Sequence, residues 1–395
     1  MHNSEIMFHL RQVPLQAHYA AFERRQASIE AILAKAKRLV IFGAGQNGQM
    51  VASLLRCNGL EPAAFMDDTP AKLNTVICGL PVEQVPSTHP DVKTTAVCSV
   101  FSARYGFLPI QRRLHALSIE VVSLFELLWC LEENCLPFYF LDRPNILMDN
   151  FYQVEWFASR LADERSQREL LSHVNFRLAL DYEELAKPEA RLVGPIRTWD
   201  NAIYVEGGAF DGDTLLPFVD RFYEQLSHAI GIEPDDANYR HLENRLEGAP
   251  GRIKKKISAV NAALDAGTGV KRFAGGRLQE SALCDSGNIT VRTISVDDLL
   301  RDRIDPRVYL KLDVEGAERD AIMGAHSLIE SSAPFLSISL YHKPMDLWEL
   351  PKLIYSLNSS YRFFLRSHGE DGADLTLYAY HEDLDGDLPV GLGPR

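Results

Sequence analysis

The alternation of apolar and polar residues predicts a small α/β domain at the start of the chain. Between residues 17 and 37, apolar and small residues recur at helical spacing with charged residues between them, which predicts a helix. Strand-like and helical runs then alternate: strand Leu39–Phe42, helix Gln46–Asn58, and strands Ala63–Met66, Ala96–Val100 and Ile119–Leu124. Because strand–helix alternation builds parallel sheets, residues 1–125 are predicted to form a small Rossmann-like domain with an N-terminal helix.

A second, longer alternation follows a mostly helical segment that we predict to be a connector over residues 126–200. The predicted strands are Ala202–Glu206, His228–Glu233, Lys256–Ala263, Val308–Asp313 and Phe335–Leu340, with two added strands around Val270–Phe273 and Ile289–Ser295. The predicted helices are Thr214–Gln225, Asp236–Glu247, Ala317–Glu330 and Asp346–Ser356. The last two runs, Tyr361–Arg366 and Leu375–Tyr380, have no helix between them and should pair antiparallel. Residues 201–395 thus have the order of the class I methyltransferase fold: a Rossmann-like, mostly parallel sheet with an antiparallel C-terminal hairpin.

Composition narrows the class of protein. The chain has 395 residues and a net charge of −13, which argues against general nucleic-acid binding. The most apolar region, VVSLFELLWCLEENCLPFYFL, is interrupted by three glutamates and predicts no membrane span. The N-terminus has no signal-peptide pattern, and the six cysteines include no CxxC pair, so we expect buried, reduced thiols and a cytoplasmic protein.

The first glycine-rich turn has the spacing of a dinucleotide-binding loop. Gly43, Gly45 and Gly48 form GxGxxG after a strand and before a helix, and the pair Asp67 and Asp68 begins 22 positions after Gly45. This pattern predicts binding of NAD or a nucleotide-sugar. The alternative is a structural or interaction module, because the later strands of this domain carry no evident catalytic set. The segment resembles the small Rossmann-like domains attached to sugar-modifying enzymes.

The second glycine-rich turn, EGGAFDGDT, has a different chemistry. Gly207 and Gly208 follow Glu206 at the predicted end of a strand, and Asp211 and Asp213 crowd the same turn. A pyrophosphate favours a helix N-terminus without negative charge, so these acids suit a cationic ligand rich in hydroxyl and amine donors, such as S-adenosylmethionine. The alternative is a tight turn with solvated acids, in which Asp213 caps the next helix.

The ends of the next two strands carry further polar candidates. Glu233 lies at the end of the second strand, where a carboxylate can accept hydrogen bonds from both ribose hydroxyls. Asn261 lies near the end of the third strand and is either an adenine-binding amide or a buried polar strand end.

Candidate catalytic groups cluster at the fourth and fifth strands. Asp313 ends the fourth strand in LKLDVEGAE, and His342 follows the fifth in SISLYHKP, so either is a candidate for the group that removes a proton. Glu315 lies in the same turn, and with Asp313 it could ligate a hard cation, although the spacing assigns no metal site. Glu318 is explained by the positive end of the helix that it begins.

The C-terminal part of the chain resembles a known enzyme family. Seven blocks carry the resemblance, in the order EGGAFDGDT, GIEPD, VNAAL, TISVDDLL, LKLDVEGAERDAIMGA, PFLSISLYHKPMDLWELPKLI and YRFFLRSH. Residues of about 200 to 380 resemble the FkbM family of S-adenosylmethionine-dependent methyltransferases. The resemblance implies that Glu206, Gly207, Gly208 and Asp211 form the cofactor loop, that Glu233 holds the ribose, and that Asp313, Glu315 and His342 lie toward the acceptor.

The predicted function is therefore methyl transfer from S-adenosylmethionine to a hydroxyl of a carbohydrate, a glycolipid precursor or a secondary metabolite. The expected partner is a small-molecule or carbohydrate acceptor, and a homo-oligomer is a further candidate assembly. One alternative is an NAD-dependent oxidoreductase or epimerase that uses the GxGxxG turn. Another is a non-catalytic nucleotide-binding scaffold.

Overall fold

The structure is a computed structural model that describes residues 15–131, 135–185, 187–188, 201–274, 282–283, 289–303 and 307–381. Residues 189–200 of the predicted connector, and Cys284, lie outside these ranges. The chain divides into two compact units. The first is Met1–Glu155 with Gln167–Glu189 and Ser367–Asp374, and the second is Trp156–Ser166 with Ala190–Arg366 and Leu375–Arg395.

The first half of the chain is mixed α/β. Its helices are α1 (Leu15–Ala34), α2 (Gln46–Cys57), α3 (Phe107–His115), α4 (Leu124–Cys130), α5 (Pro144–Asp149), α6 (Phe151–Ala158) and α7 (Glu164–Ala179). Its strands are β1 (Arg38–Phe42), β2 (Ala64–Met66), β3 (Val76–Ile77), β4 (Leu80–Glu83), β5 (Thr94–Cys98) and β6 (Glu120–Ser123). Two short 3-10 turns, Pro70–Lys72 and Tyr182–Glu184, complete it.

The strands of the first unit form one sheet in the order β3-β4-β2-β1-β5-β6. All pairs in it are parallel except β3 with β4. The sequence analysis did not predict β3 and β4. The turn that joins them holds Cys78 and Gly79 at positive φ of 49° and 76°, and two such residues suit a tight hairpin. Cysteine is an unusual residue there, so the signal was weak.

The second half of the chain continues the alternation. Its helices are α8 (Leu215–Arg221), α9 (Asp236–Gly248), α10 (Gly251–Lys254), α11 (Val296–Leu299), α12 (Glu318–Met323), α13 (His326–Ser332) and α14 (Asp346–Leu357), with a 3-10 turn at Glu370–Gly372. Its strands are β7 (Ala202–Gly207), β8 (Leu226–Ile232), β9 (Ile257–Val260), β10 (Ala263–Leu264), β11 (Gly269–Ala274), β12 (Ala282–Leu283), β13 (Ile289–Ile294), β14 (Val308–Leu312), β15 (Phe335–Ser339), β16 (Tyr361–Ser367) and β17 (Leu375–His381).

The main sheet of the second unit has the order β16-β17-β15-β14-β7-β8-β9. The five strands from β15 to β9 are parallel, and β17 runs antiparallel to β15. This is the predicted class I methyltransferase arrangement. The strand order reverses after β7, between β8 and β14, so the carboxyl ends of these strands meet where ligands bind in open α/β sheets.

Two predicted elements of this unit are divided in the structure. The predicted third strand stops at Val260, and Ala263–Leu264 instead joins a second sheet, β10-β13-β11-β12. The helix predicted over 317–330 is interrupted at Gly324. A Cβ at Gly324 would lie 2.1 Å from the backbone oxygen of Asp265, so this close approach requires a glycine and accompanies the break.

The described helices include none that is long and apolar enough to cross a membrane. The described cysteines are not in disulfides, but Cys57 and Cys78 are exposed and only Cys98 is buried. The expectation of buried thiols was therefore wrong for two of them, because Cys57 ends a surface helix and Cys78 occupies a turn. The predicted cytoplasmic location stays a prediction.

Candidate functional site

The glycine turn after β7 packs directly against the turn after β14. Gly208 has φ of +76°, and a Cβ there would lie 1.8 Å from the backbone oxygen of Asp313. The Asp313 amide also donates to the Gly207 oxygen at 3.1 Å. A Cβ at Gly207 would meet the Leu264 methyl at 2.5 Å, so the Leu264 side chain would have to shift. The two glycines therefore bring the end of β7 against the predicted catalytic strand end.

Glu206 is a fully buried carboxylate that anchors the start of this turn. Its Oε1 lies 2.6 Å from the Lys311 ammonium on the neighbouring strand and also accepts a hydrogen bond from the Thr214 hydroxyl. The Tyr204 hydroxyl donates to Oε2 at 3.1 Å. A buried carboxylate needs such partners to offset its desolvation. The protein itself thus uses both Glu206 oxygens.

Glu233 lies at the end of β8, directly beside the glycine turn. Its two oxygens accept hydrogen bonds from the backbone amides of Phe210, at 2.9 Å, and Asp235, at 3.0 Å. The side chain is buried, and this burial raises its pKa despite the hydrogen bonds. The Asn261 amide nitrogen donates to the Glu233 backbone oxygen at 3.3 Å. The structure therefore brings Glu233 and Asn261 together at one edge of the sheet.

Asp211 lies at the tip of the same turn and is partly exposed. Its Oδ1 is 2.7 Å from the Arg245 guanidinium of α9. The turn between Glu206 and Asp211 also contains Phe210 at φ of +48°, a left-handed conformation that is uncommon outside glycine. The strained residue is the one whose amide donates to Glu233.

Asp313 is held in place by residues of the fifth parallel strand and its exit. The Ser339 hydroxyl donates to Asp313 Oδ1 at 2.8 Å, and the Tyr341 hydroxyl donates to the same atom at 3.0 Å. His342 Nε2 is 3.6 Å from that oxygen. The carboxylate thus has a fixed orientation while its side chain keeps 16% of its exposure. Ser339 was not a candidate from the sequence, although its place at the end of the strand next to β14 is a usable signal.

His342 lies among three carboxylates. Its Nδ1 is 2.8 Å from Glu318 Oε1, and its Nε2 is 3.7 Å from Glu315 Oε2, in addition to the contact with Asp313. Burial lowers the pKa of His342, but the negative charges of Glu318, Glu315 and Asp313 outweigh it and raise the pKa to about 10. The imidazole is therefore protonated at neutral pH and balances the charge of the acids.

Glu318 has a larger role than the sequence analysis assigned to it. It is completely buried, it faces His342, and its Oε1 also accepts the Val314 amide at 2.9 Å. Asp346 is buried nearby, and burial together with the charge of Glu318 raises its pKa. The interpretation of Glu318 as a helix-end charge missed this contact, because a residue three positions after Glu315 meets His342 only in the folded chain.

The acids of this site do not form an evident metal centre. Among the described residues, no group of three or more His, Cys, Asp and Glu side chains has an arrangement that could hold a metal ion. The chemistry that the arrangement offers is proton acceptance by an oriented carboxylate beside a buried cation.

The glycine turn of the first unit is closed by its own chain. Asp67, at the end of β2, accepts the amides of Ala44 and Thr69 at 2.8 Å each, and its Oδ2 is 3.1 Å from the Lys72 ammonium. Burial alone would raise the pKa of Asp67, but the hydrogen bonds from Thr69, Ala44 and Lys72 lower it to about 2. These bonds occupy the group that a dinucleotide ribose would use. Binding of NAD or a nucleotide-sugar stays a prediction.

The three glycines of that turn differ in the structural reason for having glycine at each position. Gly43 has φ of +97°. A Cβ at Gly48 would lie 2.0 Å from the Gly43 oxygen, whereas a Cβ at Gly45 would meet no atom within 4 Å. Helix–strand packing therefore accounts for Gly48, and the backbone conformation accounts for Gly43.

Comparisons with known proteins bear on the fold of the chain. The chain is similar in fold to the crystal structure of methyltransferase FkbM from Methylobacillus flagellatus, at 23% identity and a TM-score of 0.69, over 92% of this chain and 98% of that one. Similarity to a precorrin-6y C5,15-methyltransferase from Geobacter metallireducens is slight, at 9% identity and a TM-score of 0.31, over 51% of this chain and 96% of that one. No curated protein matches the chain.

A family model identifies the domain that holds the acids and His342. The model described as the methyltransferase FkbM domain matches residues 206–370, from the carboxylate at the end of β7 to the turn before β17. The seven sequence blocks noted above overlap this range. Residues 206–370 of this chain therefore match the methyltransferase FkbM domain.

Proposed function

We propose that the second unit transfers the methyl group of S-adenosylmethionine to a hydroxyl oxygen of a carbohydrate, a glycolipid precursor or a secondary metabolite. The observation that carries the proposal is Asp313, an oriented carboxylate at a strand end beside the protonated His342. Methyl transfer to a hydroxyl needs a group that accepts the hydroxyl proton. Methyl transfer to an amine or a carbon would require a different arrangement of catalytic groups.

The residues beside the glycine turn fit S-adenosylmethionine. This cofactor supplies a methyl group on a cationic sulfonium, together with an ammonium and a ribose diol. Glu233 offers a buried carboxylate, which we assign to the ribose hydroxyls, since its Oε2 accepts only the Phe210 amide. Its Oε1 accepts the Asp235 amide and, at 3.4 Å, the side-chain amide of Asn238. Asn261 would reach the adenine edge, and Asp211 would contribute negative charge at the tip of the loop. Glu206 holds the loop through Lys311.

Charge distinguishes the two candidates for the proton acceptor. His342 already carries a proton at neutral pH and is buried, so it is poorly suited to accept another. Asp313 is more accessible and is held by Ser339 and Tyr341. We therefore assign proton acceptance to Asp313. His342 positions the acids and stabilises their charge.

Glu315 supports the location of the acceptor. It adopts φ of +50°, and left-handed backbone in a residue other than glycine costs free energy that functional sites often retain. This conformation directs Glu315 toward His342, at 3.7 Å. In our proposal Glu315 lies at the mouth of the site and contacts the acceptor, whose hydroxyl groups it can bind.

The first experiment measures cofactor binding and then turnover. Isothermal titration calorimetry with S-adenosylmethionine should give binding that Glu233→Gln weakens by about 10- to 100-fold, since the amide replaces one of the two acceptor oxygens and a hydrogen bond to a carboxylate contributes about 1.5–3 kcal/mol. The matched control is Glu247→Gln, an exposed glutamate at the other end of the helix that follows. Labelled methyl transfer to a panel of hydroxylated sugars, with amine analogues beside them, then tests the acceptor class.

The possible outcomes separate the parts of the proposal. Binding that Glu233→Gln weakens at least about tenfold, with methyl transfer to a hydroxylated sugar, supports all of them. Methyl transfer to the amine analogues alone would overturn the acceptor class but leave the cofactor site in place. Equal binding by the wild type and Glu233→Gln would overturn the assignment of the ribose to Glu233.

A further inference from the structure

One buried carboxylate, that of Glu318, joins two parts of the candidate site. Its Oε1 accepts the Val314 amide at 2.9 Å and lies 2.8 Å from His342 Nδ1. Val314 directly follows Asp313, and His342 comes shortly after the neighbouring strand β15. A single oxygen of α12 therefore holds both the backbone of the turn that carries Asp313 and the imidazole ring beside it.

The contact between Glu318 and His342 also sets the direction of the ring. Both side chains are almost completely buried, so water does not compete for this bond. The bond made by one ring nitrogen of a histidine decides how the other nitrogen is presented. Because Nδ1 is directed at Glu318, Nε2 lies 3.6 Å from Asp313 Oδ1 and 3.7 Å from Glu315 Oε2. Glu318 thus fixes the edge of the ring that meets the two more exposed acids.

The groups around His342 explain its charge. Four carboxyl groups from three elements lie near it: Glu318 of α12, Asp313 and Glu315 of the turn after β14, and Asp346 of α14. On its own segment, the Tyr341 ring centroid is 4.2 Å away, and the Lys343 ammonium donates to the Gly316 backbone oxygen. Burial lowers the pKa of His342, but the acids raise it to about 10, and the charge of Glu318 is the largest of these contributions.

A favourable charge at the start of a helix does not account for Glu318. Such a charge acts from an exposed position, whereas a carboxylate that is buried costs free energy unless it is paired. Glu330, in the next helix, provides the contrast. It lies 3.3 Å from His326 one turn away, and both side chains are about half exposed. The buried pair therefore has a use that the exposed pair lacks.

We propose that Glu318 is a positioning residue for methyl transfer, which acts through His342 by holding it as an imidazolium beside Asp313 and Glu315. This inference rests on the function proposed above, in which Asp313 accepts the hydroxyl proton. Glu318 itself does not touch the acceptor. His342 gives up no proton in the reaction, so the positive charge beside Asp313 stays in place while the hydroxyl proton moves to that carboxylate.

The first test is nuclear magnetic resonance of the histidine rings in the full chain, with His342→Asn to assign the resonance. Wild-type His342 should stay an imidazolium between about pH 6 and pH 9. In Glu318→Gln the amide oxygen can still accept the Nδ1 proton, but the charge is lost, so the ring should titrate at least about one pH unit lower. The matched control, Glu330→Gln, should leave the titration of His342 unchanged. A wild-type ring that titrates near the ordinary value of 6.5 would overturn the proposal, whether or not the variant folds.

The second test follows turnover against pH. Glu318→Gln should bind S-adenosylmethionine within about twofold of the wild type, because the assigned ribose carboxylate, Glu233, is unaltered. Its kcat should fall at least about tenfold, and further as the pH rises and His342 becomes neutral. Glu318→Asp, which keeps the charge, should restore part of the wild-type pH profile.

The pH profile separates positioning from a structural role. A structural role would lower the stability of Glu318→Gln without moving the profile, so a folded variant with the wild-type profile would overturn the proposal. A wild type that transfers no methyl group would overturn the proposed function, whereas the titration of His342 tests the Glu318 contact by itself.

Discussion

Each of the two units contains a glycine turn with an acid beside it, but the pKa values of the two acids shift in opposite directions. In each, a glycine turn follows the first parallel strand of a sheet, and an acid ends the neighbouring strand. Asp67 is paired with Lys72, and its pKa falls to about 2, whereas the pKa of Glu233 is raised by burial. Lys72 therefore compensates the charge of Asp67, whereas the hydrogen-bond partners of Glu233 are uncharged amides. The comparison teaches that the glycine spacing alone does not identify a working site, and that the partners of the acid carry more information.

The largest expected effect concerns turnover in the second unit. Asp313→Asn should lower kcat by about 10²- to 10⁴-fold, because the amide cannot accept the hydroxyl proton, while affinity for S-adenosylmethionine changes little. Asp67→Asn, the corresponding change at the other turn, should leave kcat within about twofold if it stays folded. Steady-state kinetics with labelled cofactor measure both. Near wild-type turnover in Asp313→Asn would remove the assigned proton acceptor.

The glycines provide the next test, on stability. Gly208→Ala and Gly48→Ala should each lower the free energy of unfolding by about 3 kcal/mol or more, because the new Cβ would overlap a backbone oxygen in both. Gly45→Ala should change it by less than about 0.5 kcal/mol, because nothing lies within reach of a Cβ there. Urea unfolding measures the free energy of unfolding of the three variants. A large loss of stability in Gly45→Ala would contradict the open space that the structure shows around this position.

The opposite pKa shifts predict opposite dependences of stability on pH. Asp67 has a lowered folded pKa, so its contribution is complete above its unfolded pKa of 3.8 and disappears as pH falls toward about 2. Glu233 has a raised folded pKa, so its contribution is complete below its unfolded pKa of 4.5 and is lost as pH rises through the folded pKa. Free energies of unfolding of the wild type, Asp67→Asn and Glu233→Gln are measured between pH 3 and pH 7. The stability of the wild type relative to Asp67→Asn should fall by about 1 kcal/mol toward pH 3, and its stability relative to Glu233→Gln should fall as the pH rises. Parallel slopes would contradict the comparison.

The smallest expected effect concerns NAD, for which we expect no binding. Because Asp67 already bonds Ala44, Thr69 and Lys72, calorimetric titration with NAD should give no binding at about millimolar concentration. The same preparation should bind S-adenosylmethionine, which serves as the positive control. Clear NAD binding that Asp67→Asn abolishes would make the first turn a second ligand site and restore the dinucleotide interpretation.

The sequence predicted most of the second sheet because its signals are local. Three of its five parallel strands, β7, β8 and β14, are short apolar runs with an acid within one residue of the carboxyl end. The same reasoning located Glu233, Asp313 and His342 at one edge of the sheet. Those positions depend only on strand ends meeting at the crevice.

What the sequence did not predict depends on partners that are far apart in the chain. The contact of Lys311 with Glu206 spans 105 positions, so nothing in EGGAFDGDT indicates that its first acid is buried and paired. The break at Gly324 arises because another backbone, at Asp265, approaches it. The spacing of hydrophobic residues gives no information about either contact, because each one is made by single atoms of segments that are far apart in the sequence.

The division of the chain into two units limits how the polypeptide can be truncated. Both units are assembled from non-adjacent pieces of the polypeptide, and the second includes Trp156–Ser166, well before the matched domain. Ala162 bonds the backbone of Phe363, and Ser166 bonds Leu365 and Arg366 within that unit. A fragment that starts at residue 201 would therefore leave a buried arginine without its partners. A chain shortened to the residues that match the family model would therefore lose part of the second unit.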